Sequence, residues 1–239
     1  TVCIYWLILV VVFGCIIGAR STEIKVEAAE RTVRFWDNSG NYLQKSGGNW
    51  YLKDSNKRKL TGLRYLSIPK TEFLKTGFYM FDKNGKLLRK QSVYYFDKKT
   101  VSGVRFDKYH ITDSNGRISK GERGFVNIAE QKVRGKKIIA GIYYVEAYGK
   151  LADRGTVRYI RQRRFGGRNF KGGYYYFYGT GRICMCPSFH KVNKTVQGKK
   201  FNGIYYFGND NGRMVQKAGW VTCEGQQYYV DQNGKMLVN

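Results

Sequence analysis

Past its first nineteen residues the chain is a succession of short apolar runs, each cut off by a polar cluster. Phe78-Tyr79-Met80-Phe81 is aromatic and strand-like, Asp82-Lys83-Asn84-Gly85 supplies a turn, and Lys86-Leu87-Leu88 returns as a second strand. Asn-Gly suits that turn because it tolerates the positive φ of a tight hairpin. Tyr228-Tyr229-Val230, Asp231-Gln232-Asn233-Gly234 and Lys235-Met236-Leu237 repeat the pattern. Residues 35–40 and 50–56 are degenerate copies of it. Beyond the N-terminal segment no ten-residue window carries a helical period. The pattern predicts an all-β chain of hairpins.

The opening stretch differs. Residues 2–18 contain no charge, and the first charged residue is Arg20. As a helix they would span about 25 Å, against a bilayer core of about 30 Å. The segment reads as a signal peptide or membrane anchor over 1–19, predicting one N-terminal hydrophobic helix and export. Membrane contact is expected through this segment alone. A lipoprotein box at Val12-Phe13-Gly14-Cys15 fits less well, because the apolar run continues past the cysteine. A buried soluble helix has no visible helical partner. The chain opens on Thr1 rather than Met, as a fragment lacking its basic leader would.

The remainder repeats. Glycine, then Lys or Arg, then Leu, Ile or Met occurs at Gly85, Gly116, Gly149, Gly181, Gly212 and Gly234. These are six occurrences where composition alone gives about 0.7. Six residues before each glycine stands Tyr79, His110, Tyr143, Tyr175, Tyr206 or Tyr228, and successive glycines lie 31, 33, 32, 31 and 22 residues apart. A lone hairpin is marginal in water, so such units must stack and bury their aromatics on neighbours. The expected fold is therefore an elongated solenoid of stacked β-hairpin repeats. Degenerate repeats occupy 35–70 and fuller ones 71–239, with a linker over 20–34.

Composition narrows the function. At 42% hydrophobic and 16% aromatic residues the chain can bury enough surface to fold. Its 29 glycines lack a triplet period and prolines number two, which excludes collagen. Five cysteines over 239 residues exclude a dense disulfide scaffold. The net charge of +26 attracts polyanions. Residues 151–202 concentrate it, with twelve Lys or Arg against Asp153 alone.

The stretch Gly203-Ile204-Tyr205-Tyr206-Phe207, Asn211-Gly212-Arg213-Met214, Gly219-Trp220-Val221 and Tyr228-Tyr229-Val230-Asp231-Gln232-Asn233-Gly234-Lys235-Met236 resembles the bacterial cell wall-binding repeats. Those repeats are shared by choline-binding proteins, glucan-binding proteins and clostridial toxin arms. The resemblance is close over 203–239, good over 71–183 and weak over 35–70. It implies a β-solenoid displayed outside Gram-positive cells, binding sugars or wall polymers between successive hairpins. One departure matters. Choline-binding members carry Trp before the aromatic pair, where this chain has Phe78, Tyr109, Ile142, Tyr174, Ile204 and Gln227. Only Trp220 matches the other position of the cationic cage.

The ring-stacking candidates are Trp220, Tyr205, Tyr206, Tyr228, Tyr229, Tyr174, Tyr175, Tyr143 and Tyr144, with core packing as the plainer alternative for the tyrosines. Arg161, Arg163 and Arg164 are candidates for contacting anionic groups, with a merely solvated strand face as their alternative. Cell-wall polysaccharide, teichoic acid or glucan are the expected partners. Nucleic acid suits basic, aromatic grooves but not export. No cofactor or metal is expected, since Cys184, Cys186 and His190 match no standard zinc spacing. Cys184, Cys186 and Cys223 permit at most one disulfide.

His110 and His190 lie 80 residues apart, and no Gly-x-Ser-x-Gly motif occurs. The chain thus reads as a non-catalytic extracellular binding module. The alternative is a targeting arm of a larger secreted wall hydrolase or glucan-handling enzyme, with its catalytic domain outside this chain. A spacer without ligand is the third reading.

Overall fold

A computed structural model describes residues 32–34, 40–68, 74–118, 124–152 and 155–237, all within one compact unit, Arg31–Asn239. The expected N-terminal helix, most of the linker and the copy at 35–39 lie outside the described residues. Among the described residues the fold is all-β, with one short 3-10 turn at Ala147–Gly149. None of them forms a helix long and apolar enough to cross a membrane.

Seven antiparallel hairpins succeed one another among the described residues. The first pairs Tyr42–Ser46 with Asn49–Lys53, and Thr32–Arg34 adds an edge strand to it. The second pairs Gly62–Leu66 with Gly77–Phe81, the third Val93–Val101 with Val104–Ile111. The fourth pairs Gly124–Ile128 with Gly141–Val145 and is lengthened by Gln131–Val133 against Lys136–Ile138. The fifth pairs Thr156–Ile160 with Gly173–Phe177, lengthened by Arg163–Phe165 against Arg168–Phe170. The sixth pairs Ser188–Val196 with Lys199–Asn209, and the seventh Gly219–Cys223 with Gln226–Val230. The third to sixth are long and the seventh is short, which explains the drop in glycine spacing from 31–33 to 22 residues.

The hairpin tips are not where the sequence pattern places them. Six hairpins close through two-residue loops with positive φ at both positions: Gly47-Gly48, Ser102-Gly103, Arg134-Gly135, Gly166-Gly167, Gln197-Gly198 and Glu224-Gly225. That is the geometry whose twist matches paired strands. The Asp-x-Asn-Gly clusters are junctions instead. Asp82 Oδ1 accepts from the amides of Asn84 and Lys86, and Asp113 and Asp231 repeat both bonds at their own turns.

Past each junction the chain forms a clip rather than a full second strand. Leu87 bridges its own strand at Phe81, while Lys86 bridges back to Tyr51 of the preceding hairpin. The same backward bridge joins Arg117 to Tyr79, Lys150 to His110, Arg182 to Tyr143, Arg213 to Tyr175 and Lys235 to Tyr205. The junction glycine must be glycine. At Gly212 φ is +89°, and an added Cβ would lie 1.8 Å from the Cys184 carbonyl oxygen. The basic stem of the clip lies across another glycine: a Cβ on Gly173 would meet Arg213 Cδ at 2.7 Å, and one on Gly203 would meet Lys235 Cε at 2.5 Å.

Packing keeps the same order. Each hairpin carries one cross-strand pair near its base: Leu43–Leu52, Leu63–Met80, Val93–Ile111, Phe125–Tyr144, Val157–Tyr176, Phe189–Tyr206 and Trp220–Tyr229. The first six pairs each sit in a cluster built with the next hairpin. Leu43 and Leu52, for example, pack with Leu66, Phe81 and Leu87. Val157 and Tyr176 pack with Val192, Phe201 and Phe207. The core is thus six successive clusters among the described residues rather than one centre.

Candidate functional site

Burial divides the expected ring-stacking residues. Tyr143, Tyr174, Tyr175, Tyr205 and Tyr206 are buried, so their faces serve the clusters between hairpins. Their hydroxyls find partners inside the fold. Tyr79, Tyr143 and Tyr175 each donate to the carbonyl four residues earlier, at 2.6, 2.6 and 2.8 Å, on Lys75, Ile139 and Lys171. Tyr206 donates to Thr222 O at 2.9 Å. Burial pushes the Tyr79 and Tyr175 phenols up to about 12. His110 stands in the same register and is equally buried, its ring nitrogens 2.8 and 3.0 Å from the Tyr148 and Asp107 carbonyls.

Tyr144 and Tyr228 are half-buried, whereas Trp220 and Tyr229 are exposed, with ring centroids 5.4 Å apart in an edge-to-face contact. Arg161, Arg163 and Arg164 are exposed. Arg163 and Arg164 lie on the added arm of the fifth hairpin, where alternation sends their side chains to opposite faces.

Arg163 faces a cleft of about 270 Å³ where the third, fourth and fifth hairpins meet. Its guanidinium carbon lies 5.2 Å from the Phe125 ring centroid, and Phe125 tilts against Phe165 at 5.7 Å. Gln91, Thr112, Asp113 and Arg117 complete the polar lining, with Arg117 Nε 3.6 Å from Asp113 Oδ2. No carboxylate among the described residues pairs with Arg163. The arrangement offers the edge of the half-buried Phe165, an amide and a cation in one groove, which suits a sugar bearing an anionic group.

A second cleft of about 330 Å³ lies one step along, lined by Tyr144, Arg158, Tyr159 and Lys194. Arg158 stacks over Tyr144 at 5.1 Å and is paired with Glu146. Its Nε is buried without a hydrogen-bond partner among the described residues. Phe125 and Tyr144 are a cross-strand pair, so the fourth hairpin presents one ring to each cleft. Sequence reasoning found Arg163 and Tyr144 but missed Phe125, Phe165 and Arg117. Only the strand register, which the repeat spacing does not fix, brings them together.

The structure also gathers Cys184, Ser188 and His190. Cys184 Sγ is 2.9 Å from Ser188 Oγ and 3.4 Å from His190 Nε2, while His190 stacks flat on Tyr176 at 3.7 Å. Cys184 and Cys223 are buried and Cys186 is exposed, all three as free thiols, so Cys184 and Cys186 do not share one environment. No cluster of three or more metal-ligating residues occurs among the described residues.

No family model and no curated protein matches the chain. Among solved structures, choline binding protein F from Streptococcus pneumoniae is similar at 21% identity and a TM-score of 0.26, over 88% of this chain and 80% of that one. CbpJ from Streptococcus pneumoniae is similar at 18% identity and a TM-score of 0.23, over 88% of this chain and 94% of that one. Alternansucrase in complex with isomaltononaose is similar at 16% identity and a TM-score of 0.20, over 82% of this chain but 16% of that one. These likenesses are too distant to carry the fold, which rests on the register described above.

Proposed function

We propose that the chain is a non-catalytic, cell-surface binding module, a hairpin solenoid that attaches to anionic wall polymer or to glucan through the clefts between its hairpins. The observation that carries this reading is the exposed Arg163 guanidinium beside Phe125 and Phe165 in a groove lined by Gln91 and Arg117. A sugar ring packs against the half-buried Phe165, which Phe125 backs from within the core, Gln91 addresses a hydroxyl, and Arg163 takes a phosphate or carboxylate. The excess positive charge draws the polymer in over distances set by salt.

Retention on purified, teichoic acid-bearing cell walls tests this. Arg163→Gln should weaken retention at low salt about tenfold, as loss of one charge-assisted hydrogen bond predicts. Retention of the unaltered chain should fall as salt rises. Binding indifferent to both changes would remove the anionic component of the reading. Undiminished binding to an uncharged glucan would then identify the glucan as ligand.

A further inference from the structure

Three hairpins carry a further cross-strand aromatic pair, one residue before the buried Tyr79, His110 and Tyr175. It is Tyr65–Phe78 on the second hairpin, Tyr95–Tyr109 on the third and Tyr159–Tyr174 on the fifth. The tip of the following hairpin comes to each. Val101 and Val104, on either side of the third hairpin's turn, share a cluster with Tyr65 and Phe78. The fourth hairpin's tip sets Arg134 Cζ 4.8 Å from the Tyr95 ring centroid and Lys136 Nζ 5.6 Å from that of Tyr109. The sixth hairpin's tip sets Lys199 Nζ 5.7 Å from the Tyr174 centroid.

The last two tips are the same device with one residue changed. Arg134-Gly135-Lys136 and Gln197-Gly198-Lys199 are both two-residue turns followed by lysine, with φ of 48° at Arg134 and 49° at Gln197. The tyrosine pairs they meet also match, at 5.1 Å and 73° between ring planes against 5.2 Å and 74°. Lys136 and Lys199 each cover the ring on the second strand. Arg134 covers the ring on the first, whereas Gln197, in the same place, brings no cation to Tyr159, which is 37% exposed. Tyr159 and Gln197 instead border the cleft of about 330 Å³, together with Tyr144, Arg158 and Lys194.

We propose that this cleft is a second sugar site in which Tyr159 is the stacking platform. Lys194 and Arg158 take an acidic substituent of the sugar, and Gln197 serves a hydroxyl. The proposal rests on the wall-polymer reading above and adds to it a residue, Tyr159, and a ligand class, an acidic sugar. Charge around the ring decides against a cationic ligand. Arg158, Lys194 and Lys199 stand at the pair, and Glu146 is already paired with Arg158. A cation on Tyr159 would meet three like charges, while the apolar face of a sugar ring meets none. Lys194 donates one hydrogen to Thr156 Oγ1 at 2.8 Å and keeps its other two for a ligand.

The test exchanges the tips. Gln197→Arg gives the sixth hairpin the fourth's turn, at a backbone φ that arginine already adopts there. Trigalacturonate titrated into the unaltered chain should shift the amide resonances of Tyr159 and Lys194. In Gln197→Arg its affinity at that cleft should fall about tenfold or more, because the new guanidinium covers Tyr159. Tyr159→Ser should give the same loss without an added charge. Both variants should leave the response of Gly124 and Arg163 in the first cleft unchanged, whereas Arg163→Gln should weaken that response and spare Tyr159. Failure of either site is thereby told apart from failure of the other. Undiminished affinity at the second cleft in either variant would overturn the proposal. So would a stronger response there to tetramethylammonium, which would make the pair a cation cage. An equal response to isomaltotriose would overturn it too, by removing the acidic class.

Discussion

At the scale of single residues, the repeated aromatic position is a structural plug, and its chemistry makes the fold sensitive to pH at both ends. His110 fills the plug that Tyr79, Tyr143 and Tyr175 fill elsewhere. Burial holds its pKa below the usual 6.5, against a smaller pull upward from its two carbonyl neighbours. Because the folded value is depressed, its contribution to stability is complete above pH 6.5 and is lost as the pH falls through the folded value. His110→Gln should remove part of that acid loss, up to about 1.4 kcal/mol per pH unit for one proton, as measured by urea unfolding between neutral and acid pH. His190, which burial also depresses, adds to the loss, and Asp107, held below the usual carboxylate range by its bond from Lys150, adds more at lower pH. The phenols run the other way. Tyr79 and Tyr175, raised to about 12, keep their contribution below pH 10 and lose it as the pH climbs past that toward 12. The sequence showed where these rings recur. It did not show that they are buried, because a ring that packs a core and one that stacks on a sugar have the same composition and spacing. The bond from hydroxyl to carbonyl four residues back distinguishes them, and it exists only in three dimensions.

At the scale of elements, strands and repeats were legible, but their connectivity was not. Asn-Gly and Arg-Gly both permit positive φ, and the sequence cannot say which of two turn signals in one period closes the hairpin. The deciding factor is pairing length. Strands of eight or more residues meet across Ser102-Gly103 and Gln197-Gly198, whereas Asp82–Gly85 leads into a single bridge on each side. That bridge needs a bare α-carbon at the junction. Gly212→Ala should cost more than about 1 kcal/mol, since the backbone conformation is wrong for alanine and the Cys184 carbonyl is in the way. A fall in Tm of at least about 2–4 °C would register it. An unchanged Tm would mean that the clip contributes little to holding neighbours together.

At the scale of the whole molecule, each hairpin is tied to the next, so stability is a sum over neighbours more than the property of one core. The net charge of +26 acts on that sum from outside. Like charges repel within the fold, and salt relieves the repulsion, so the denaturation midpoint should rise as salt is added. Retention on an anionic polymer should fall over the same range. Opposite slopes for folding and binding in one salt series would separate the charge's two roles, and parallel slopes would show that both readouts report folding alone.

The clip carries a consequence for how such a chain changes length. At four of the six clips the basic stem rests on a glycine of the preceding hairpin: Arg117 on Gly77, Arg182 on Gly141, Arg213 on Gly173 and Lys235 on Gly203. A hairpin that carries such a glycine also carries, one clip further on, a basic stem for its neighbour, so the two halves of these junctions travel in the same segment. A duplication or deletion of one full period, begun at any point within it, brings together halves that already match. A cut out of phase leaves a basal pair without its lid. Selection on such an array acts on whole periods, and its length can drift in steps of a hairpin while every surviving junction stays as it was.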